Sequence, residues 1–136
     1  MSMFNILDIS ASAMHAQTVR LNTVASNMAN ADSVSSNKDE TYRSKQPVFQ
    51  TILDGATNEP KGGVRIKEIV ESQAPLKMEY NPNHPMANEE GYIYRPNVNV
   101  VEEMANMLSA SRSYETNIEV MNTSKQLLLR TIQLGK

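Results

Sequence analysis

From Asn97 to Lys136 the chain reads NVNVVEEMANMLSASRSYETNIEVMNTSKQLLLRTIQLGK. Within it Val100, Met104, Met107, Ser111, Tyr114, Ile118, Met121, Lys125, Leu128 and Ile132 recur in alternating steps of four and three. That spacing averages the 3.5-residue repeat of a coiled-coil seam and predicts one long helix. Pro96 blocks a preceding strand, Asn99 can cap the helix, and Glu102 lies where a capping box places its acid. Glu102 and Glu103 suit the positive end of the helix dipole, and Lys125, Arg130 and Lys136 the negative end. Gly135 marks the stop. A rod of this kind is about 50 Å long, whereas a compact chain of 136 residues has a radius of gyration of only ~14 Å. The molecule is therefore elongated, or the helix lies against something beyond its own chain.

A matching series occupies the other end: Phe4, Leu7, Ala11, Met14, Thr18, Leu21, Ala25 and Met28 again alternate steps of three and four. The chain has 13 Lys and Arg and 15 Asp and Glu, yet only Asp8 and Arg20 fall before residue 31. The positions facing away from this seam are mainly Ser, Thr, Asn, Gln and Ala. A helix facing water spends its outer face on Lys and Glu. Small neutral polar groups suit a helix enclosed on more than one side, where each hydrogen-bonds without burying a charge. Asn27, Asn30 and Asp32 read as the end of this helix, and residues 32–41 as a loop.

Between the helices the period changes to two. Alternation around Val48 to Leu53, Val64 to Lys67, Leu76 to Tyr80 and Tyr92 to Tyr94 predicts four short strands in a small antiparallel sheet. Breakers separate them at Asp54-Gly55, Pro60 to Gly63, Pro75, Asn81 to Pro85 and Gly91. The fold class is thus mainly α with a small β insert: an N-terminal coiled-coil helix over 1–31, loop and insert over 32–97, and a C-terminal long helix over 98–136. The two helices lie antiparallel, seam to seam. Phe4, Leu7, Met14, Leu21 and Met28 on the first, with Val100, Met104, Met107, Tyr114, Ile118, Met121, Leu128 and Ile132 on the second, form the candidate assembly interface.

Chemistry is harder to find. His15 and His84 are the only histidines and there is no cysteine, so no converging zinc set is expected. Glu89-Glu90 and Glu102-Glu103 are adjacent pairs whose side chains diverge, and the second pair is explained by the helix start. No nucleotide-binding, hydrolase or metalloprotease motif occurs, and Lys61-Gly62-Gly63 is too short to cradle a phosphate. The expectation is no enzyme, no cofactor and no metal. A net charge of -2 without a basic cluster argues against nucleic acid. No apolar run reaches the ~20 residues of a membrane span. The N-terminal stretch, with Asp8 and no base before Arg20, does not read as a cleaved secretory signal.

Two terminal stretches carry a more specific signal. RLNTVASNMANAD, from Arg20 to Asp32, resembles the N-terminal signature of the rod and hook family of bacterial flagellar axial proteins. VNVVEEM, SASRSYETNIEVMNTSK and TIQLG resemble the C-terminal signature of the same family. In the insert, YRSKQPVFQ, GGV, ESQAPLKMEYNPNHPMA and GYIYRPNVN resemble its proximal rod members, whereas the loop Ser33 to Thr41 departs from the Thr-Gly turn common in others. The resemblance implies a structural subunit of the flagellar basal-body rod on the periplasmic side. Such a subunit polymerises helically with copies of itself and other rod proteins, and meets the membrane ring and the export apparatus. It also implies export without a cleaved signal, terminal segments disordered before assembly, and an inner helical core afterwards. Another axial subunit of that family, or a soluble helical adaptor or chaperone, are the alternative readings of the same helices.

Overall fold

The computed structural model describes residues 3–53 and 60–135. The element order is α1 (Met3–Ala29), β1 (Lys45–Leu53), β2 (Pro60–Glu71), β3 (Lys77–Tyr80), β4 (Tyr92–Arg95) and α2 (Val100–Leu134). Helix, small β insert, helix is the order read from periodicity. The expected turn at Asp54-Gly55 and the expected dipole partner Lys136 lie outside the described residues.

α2 starts where its cap predicts. Asn99 has extended backbone and its side chain accepts a hydrogen bond from Val101 N, with Glu102 and Glu103 in the first turn. Its other end differs from expectation, because the last turn of α2 contains no basic residue and Lys125 and Arg130 lie further back. Gly135 N bonds back to Thr131 O at 3.2 Å and closes the helix.

The helices run antiparallel. Asn27 Nδ2 donates to Glu103 Oε1 at 3.1 Å, and one or two turns along, Arg20 Nη2 donates to Asn106 Oδ1 at 3.0 Å. Their seams, however, are not the ones hydropathy selects. The rows Leu7, Met14, Leu21, Met28 and Met107, Tyr114, Met121, Leu128 are half-buried. Their partners in the closed seam are Ser10, Gln17 and Val24 on α1, and Glu103, Ala110, Asn117 and Ser124 on α2. Phe4, Ala11, Thr18 and Ala25, and Val100, Met104, Ile118 and Ile132, are exposed instead. The physical reason is size. Ala110 is 0% exposed, and with Ser10, Val24 and Ser124 it forms a row of small buried side chains beside the larger half-buried Leu, Met and Tyr row, so that small and large residues alternate along the seam.

α1 also packs on a second side, against β1 and β2. This accounts for its polar face within the chain itself: Ala16, Thr23 and Asn27 are buried there. Pro60 to Gly63, expected as a breaker, lies inside β2. Its glycines serve close approach to α1. A Cβ on Gly62, whose φ is 84°, would sit 2.8 Å from Ile9 Cδ1 of α1, and one on Gly63 would sit 3.4 Å from Ser12 Oγ of α1 and 3.0 Å from Ile52 Cδ1 of β1. With that space cleared, Val64 N donates to Ser12 Oγ at 3.1 Å and docks the strand on the helix.

The four strands form two separate two-stranded sheets, β1 with β2 and β3 with β4, rather than one. After β2 the chain turns away, and its carbonyls at Ser72 and Ala74 are taken by side chains: Asn97 Nδ2 at 3.2 and 2.9 Å, and Arg43 Nη1 at 3.2 and 3.4 Å. Those carbonyls are thereby withdrawn from any shared ladder. Two-stranded pieces are marginal alone, and each here has backing. β1 and β2 lean on α1, while β4 gains a bridge from the loop, where Ser35 and Tyr94 exchange backbone hydrogen bonds at 3.0 and 2.9 Å. Ile93 of β4 is fully buried. The β3–β4 turn is built by Asn88 Oδ1, which accepts from Glu90 N and Tyr92 N, and His84 Nδ1 accepts from Met86 N, a turn-forming role for this histidine.

Candidate assembly interface

Two features distinguish the ends of the helix pair. The first is a buried polar knot where both helices meet the insert. Asn27, expected to terminate α1, lies inside it and is 1% exposed. Its Nδ2 faces Ser44 Oγ at 3.3 Å, Lys45 O at 2.8 Å and Glu103 Oε1 at 3.1 Å. Its Oδ1 accepts from Tyr42 Oη and from Lys45 N, both at 2.9 Å. Ser44 N in turn donates to Asn97 Oδ1 at 2.8 Å. One amide thereby ties α1 to the strand entry, the loop and α2. Glu103 is the seam residue that sequence reasoning assigned to the helix dipole alone. A signal was available: it is the one acid in a row otherwise occupied by Ala110, Asn117 and Ser124.

Burial, at 6% exposure, pushes the Glu103 carboxyl above its ordinary value of 4.5; the Asn27 hydrogen bond opposes this, Glu102 adds to it, and Ser44 and Arg20 oppose it. The sign follows from linkage: a carboxyl with a folded pKa above its unfolded one favours the fold fully below the unfolded value, and loses that contribution as pH rises through the folded one. The expected outcome is that stability relative to Glu103→Gln, measured by thermal melts, increases as pH is lowered from about 7 toward 4.5. A pH-independent difference would remove burial as the dominant influence on this group.

The second feature is what the closed seam leaves outside. On α2, Val101, Met104, Leu108, Ile118, Leu129 and Ile132 are exposed and fall on one series of alternating three- and four-residue steps, so they form a second stripe beside the first. On α1 the outward row is Asp8, Ala11, His15, Thr18, Asn22, Ala25 and Ala29, all exposed, with a single formal charge. Of the predicted interface residues, Phe4, Val100, Met104, Ile118 and Ile132 are on the outside. Leu7, Met14, Leu21, Met28, Met107, Tyr114, Met121 and Leu128 edge the closed seam. Among the described residues no group of three or more Asp, Glu or His converges as a metal site, and no helix is long and apolar enough to cross a membrane.

The terminal helices thus close on each other along one side and present a second stripe outward. Residues 7–35 match the family model described as flagella basal body rod protein, and residues 89–134 match the flagellar basal body rod FlgEFG protein C-terminal model. The flagellar basal-body rod protein FlgC of Salmonella typhimurium is 52% identical over 136 residues, covering all of both chains. FlgC of Escherichia coli O157:H7 is 50% identical over 136 residues and FlgC of Bacillus subtilis 35% over 150, again covering all of each chain. The chain belongs to the FlgC family of flagellar basal-body rod proteins, and it is a structural subunit of the rod.

Proposed function

We propose that this rod subunit polymerises helically with copies of itself and with other rod proteins, transmits torque as part of the drive shaft, and encloses the export channel. It catalyses nothing and requires no cofactor. It meets the membrane ring and export apparatus on the periplasmic side. Phe4, Leu7, Met14, Leu21, Met28, Val100, Met104, Met107, Tyr114, Ile118, Met121, Leu128 and Ile132 form the assembly interface, the exposed ones directly and the half-buried ones by holding the helices that present them.

The observation that carries this reading is the outward stripe of α2. Val101 is 75% exposed, Met104 57%, Leu108 54% and Ile132 55%, on a helix whose other side is already closed. The row is apolar at both ends and at Ile118, with Ser111, Glu115, Asn122 and Lys125 between, and exposed apolar groups repeated along one helix face mark a protein contact. The test is complementation of a host strain that lacks its own FlgC. Expression should restore swarming, and basal bodies isolated from those cells should contain the chain in the rod. Purified chain alone should lose the outer ends of its two helices to limited proteolysis while the insert and the helix turns tied to it by Asn27 persist. A fully helical, protease-resistant monomer together with failed complementation would defeat the reading.

A further inference from the structure

Helix α2 is held less firmly than α1. Among the described elements it packs on α1 alone, whereas α1 packs on β1 and β2 as well. The seam between the helices has a weak point: Gln17 Oε1 is buried and accepts no hydrogen bond among the described residues. Residues 129–135, at the far end of α2, are all exposed. At the near end the chain is fixed just before the helix begins. Asn97 Oδ1 accepts from Ser44 N at 2.8 Å, and its Nδ2 donates to Ser72 O and Ala74 O at 3.2 and 2.9 Å. Pro96 and Val98 on either side of it are buried. Asn99 follows with φ −107° and ψ 105° and caps the helix. An arm anchored at Asn97 and packed on one neighbour beyond Asn99 can pivot between them without disturbing the insert.

The knot ties the two helices by different chemistry. Asn27 fixes α1 to the insert through a backbone N–H and a backbone C=O of Lys45 and the Tyr42 hydroxyl. It fixes α2 through the Glu103 carboxyl, whose Oε1 accepts from Asn27 Nδ2 at 3.1 Å and lies 3.5 Å from Ser44 Oγ. Around that carboxyl stand Arg20 from α1, Glu102 from α2 itself, and Lys45 and Tyr42 from the strand entry and loop. Both bases are engaged elsewhere. Arg20 Nη2 donates to Asn106 Oδ1 at 3.0 Å, and Lys45 Nζ lies 5.6 Å from the centroid of the Tyr42 ring. The ion pairs of the described residues are Lys67 with Glu68 and Arg95 with Glu79, so an ionised Glu103 has no counter-ion in contact.

We propose that Glu103 is a pH-operated latch on α2: the neutral carboxyl holds the helix against α1, and ionisation lets α2 swing about Asn99 while α1 stays docked on the insert. A carboxylate buried without a counter-ion is costly, and swinging the arm outward returns it to water. The opened arm also bares Ala110 and Ser124, which the closed seam covers. Burial is the first cause that raises this carboxyl above 4.5, and it acts only while the arm is closed. The opening constant is therefore lowest at or below that pH and rises with pH, by up to tenfold per unit, until the closed form ionises as well.

The test is backbone hydrogen exchange of the full-length protein, read by mass spectrometry from pH 4.5 to about 7.5. The quantity followed is the exchange of the first turns of α2 relative to the last turns of α1 in the same sample, which cancels the intrinsic pH dependence of exchange. In the wild type this ratio should rise with pH by more than about threefold. In Glu103→Gln, which keeps an acceptor for Asn27 but cannot ionise, it should stay flat. In Glu102→Gln, which removes the one acidic neighbour that raises the Glu103 carboxyl and leaves the knot's hydrogen bonds in place, the rise should be smaller and end at lower pH. A flat ratio in the wild type, whether because α2 never opens or because α1 opens in step with it, would overturn the latch. So would an equal rise in Glu103→Gln, or a rise in Glu102→Gln that matches the wild type.

Discussion

Asn27→Ala will cost about 3 kcal/mol or more of folding free energy, because each buried group left without its hydrogen bond costs ~1–3 kcal/mol. The substitution strips partners from Ser44, Tyr42 and Glu103 and from both backbone groups of Lys45 at once. For a chain of this size that is a fall in melting temperature of roughly 10 °C. Asn27→Asp should be at least as damaging, since it sets a second carboxylate against Glu103 Oε1, now 3.1 Å from the amide. Adding Glu103→Gln to Asn27→Asp reverses the direction of that hydrogen bond and should recover part of the loss. The cycle is read by denaturant unfolding of the wild type, the two single variants and the double variant. Additive single effects, or a loss below ~1 kcal/mol for Asn27→Ala, would mean that the knot is not a coupled unit.

Ile118→Asp should abolish swarming while leaving the monomer intact. Ile118 is 38% exposed and lies outside the closed seam, so its replacement should change stability by no more than about 0.5 kcal/mol. In an assembled wall it would place an unpaired charge against an apolar neighbour, a cost of several kcal/mol per contact, multiplied along the polymer. Leu21→Asp should also abolish swarming, by a different route. Leu21 edges the closed seam, so a charge there should destabilise the helix pair itself, by ~2 kcal/mol or more. Swarm diameter together with thermal melts separates the two. A motile Ile118→Asp strain would show that the outward stripe of α2 is not an interface.

These two variants also mark what can be read from residues alone. Helix positions, the Asn99 cap and the strand segments follow from periodicity and turn chemistry, and they match the structure closely. Which of two overlapping seams closes inside the chain does not follow. Hydropathy ranks Met104 and Ile118 above Ala110 and Asn117, whereas the intramolecular contact selects the smaller pair because it admits a nearby helix. Half of the apolar series that reads as the core, Leu7 to Met28 and Met107 to Leu128, edges the closed seam, and the other half, with Met104 and Ile118, is left outside. Asn27 is deceptive for a related reason: a residue that favours turns in isolation also makes the most compact two-way hydrogen-bonding group for a junction of several elements. Gly62 and Gly63 read as a turn, since nothing in the local sequence reveals that Ile9 and Ser12 press against that strand. The split into two sheets depends on Asn97 and Arg43 reaching carbonyls from elsewhere in the chain, which strand patterning does not encode.

The knot has a kinetic consequence as well. Its hydrogen bond from Asn27 to Glu103 joins residues 76 apart in sequence, and the Arg20 to Asn106 bond joins residues 86 apart. Loops of that span close late, because the entropy of closure is spent before any of their contacts form. The pairing of α1 with α2 therefore waits for nearly the whole chain, after α1 has taken its register from Tyr42, Ser44 and Lys45, and the last few turns of α2 never acquire a register from within the molecule. Such a subunit is slow to commit at one end and uncommitted at the other until a neighbour arrives.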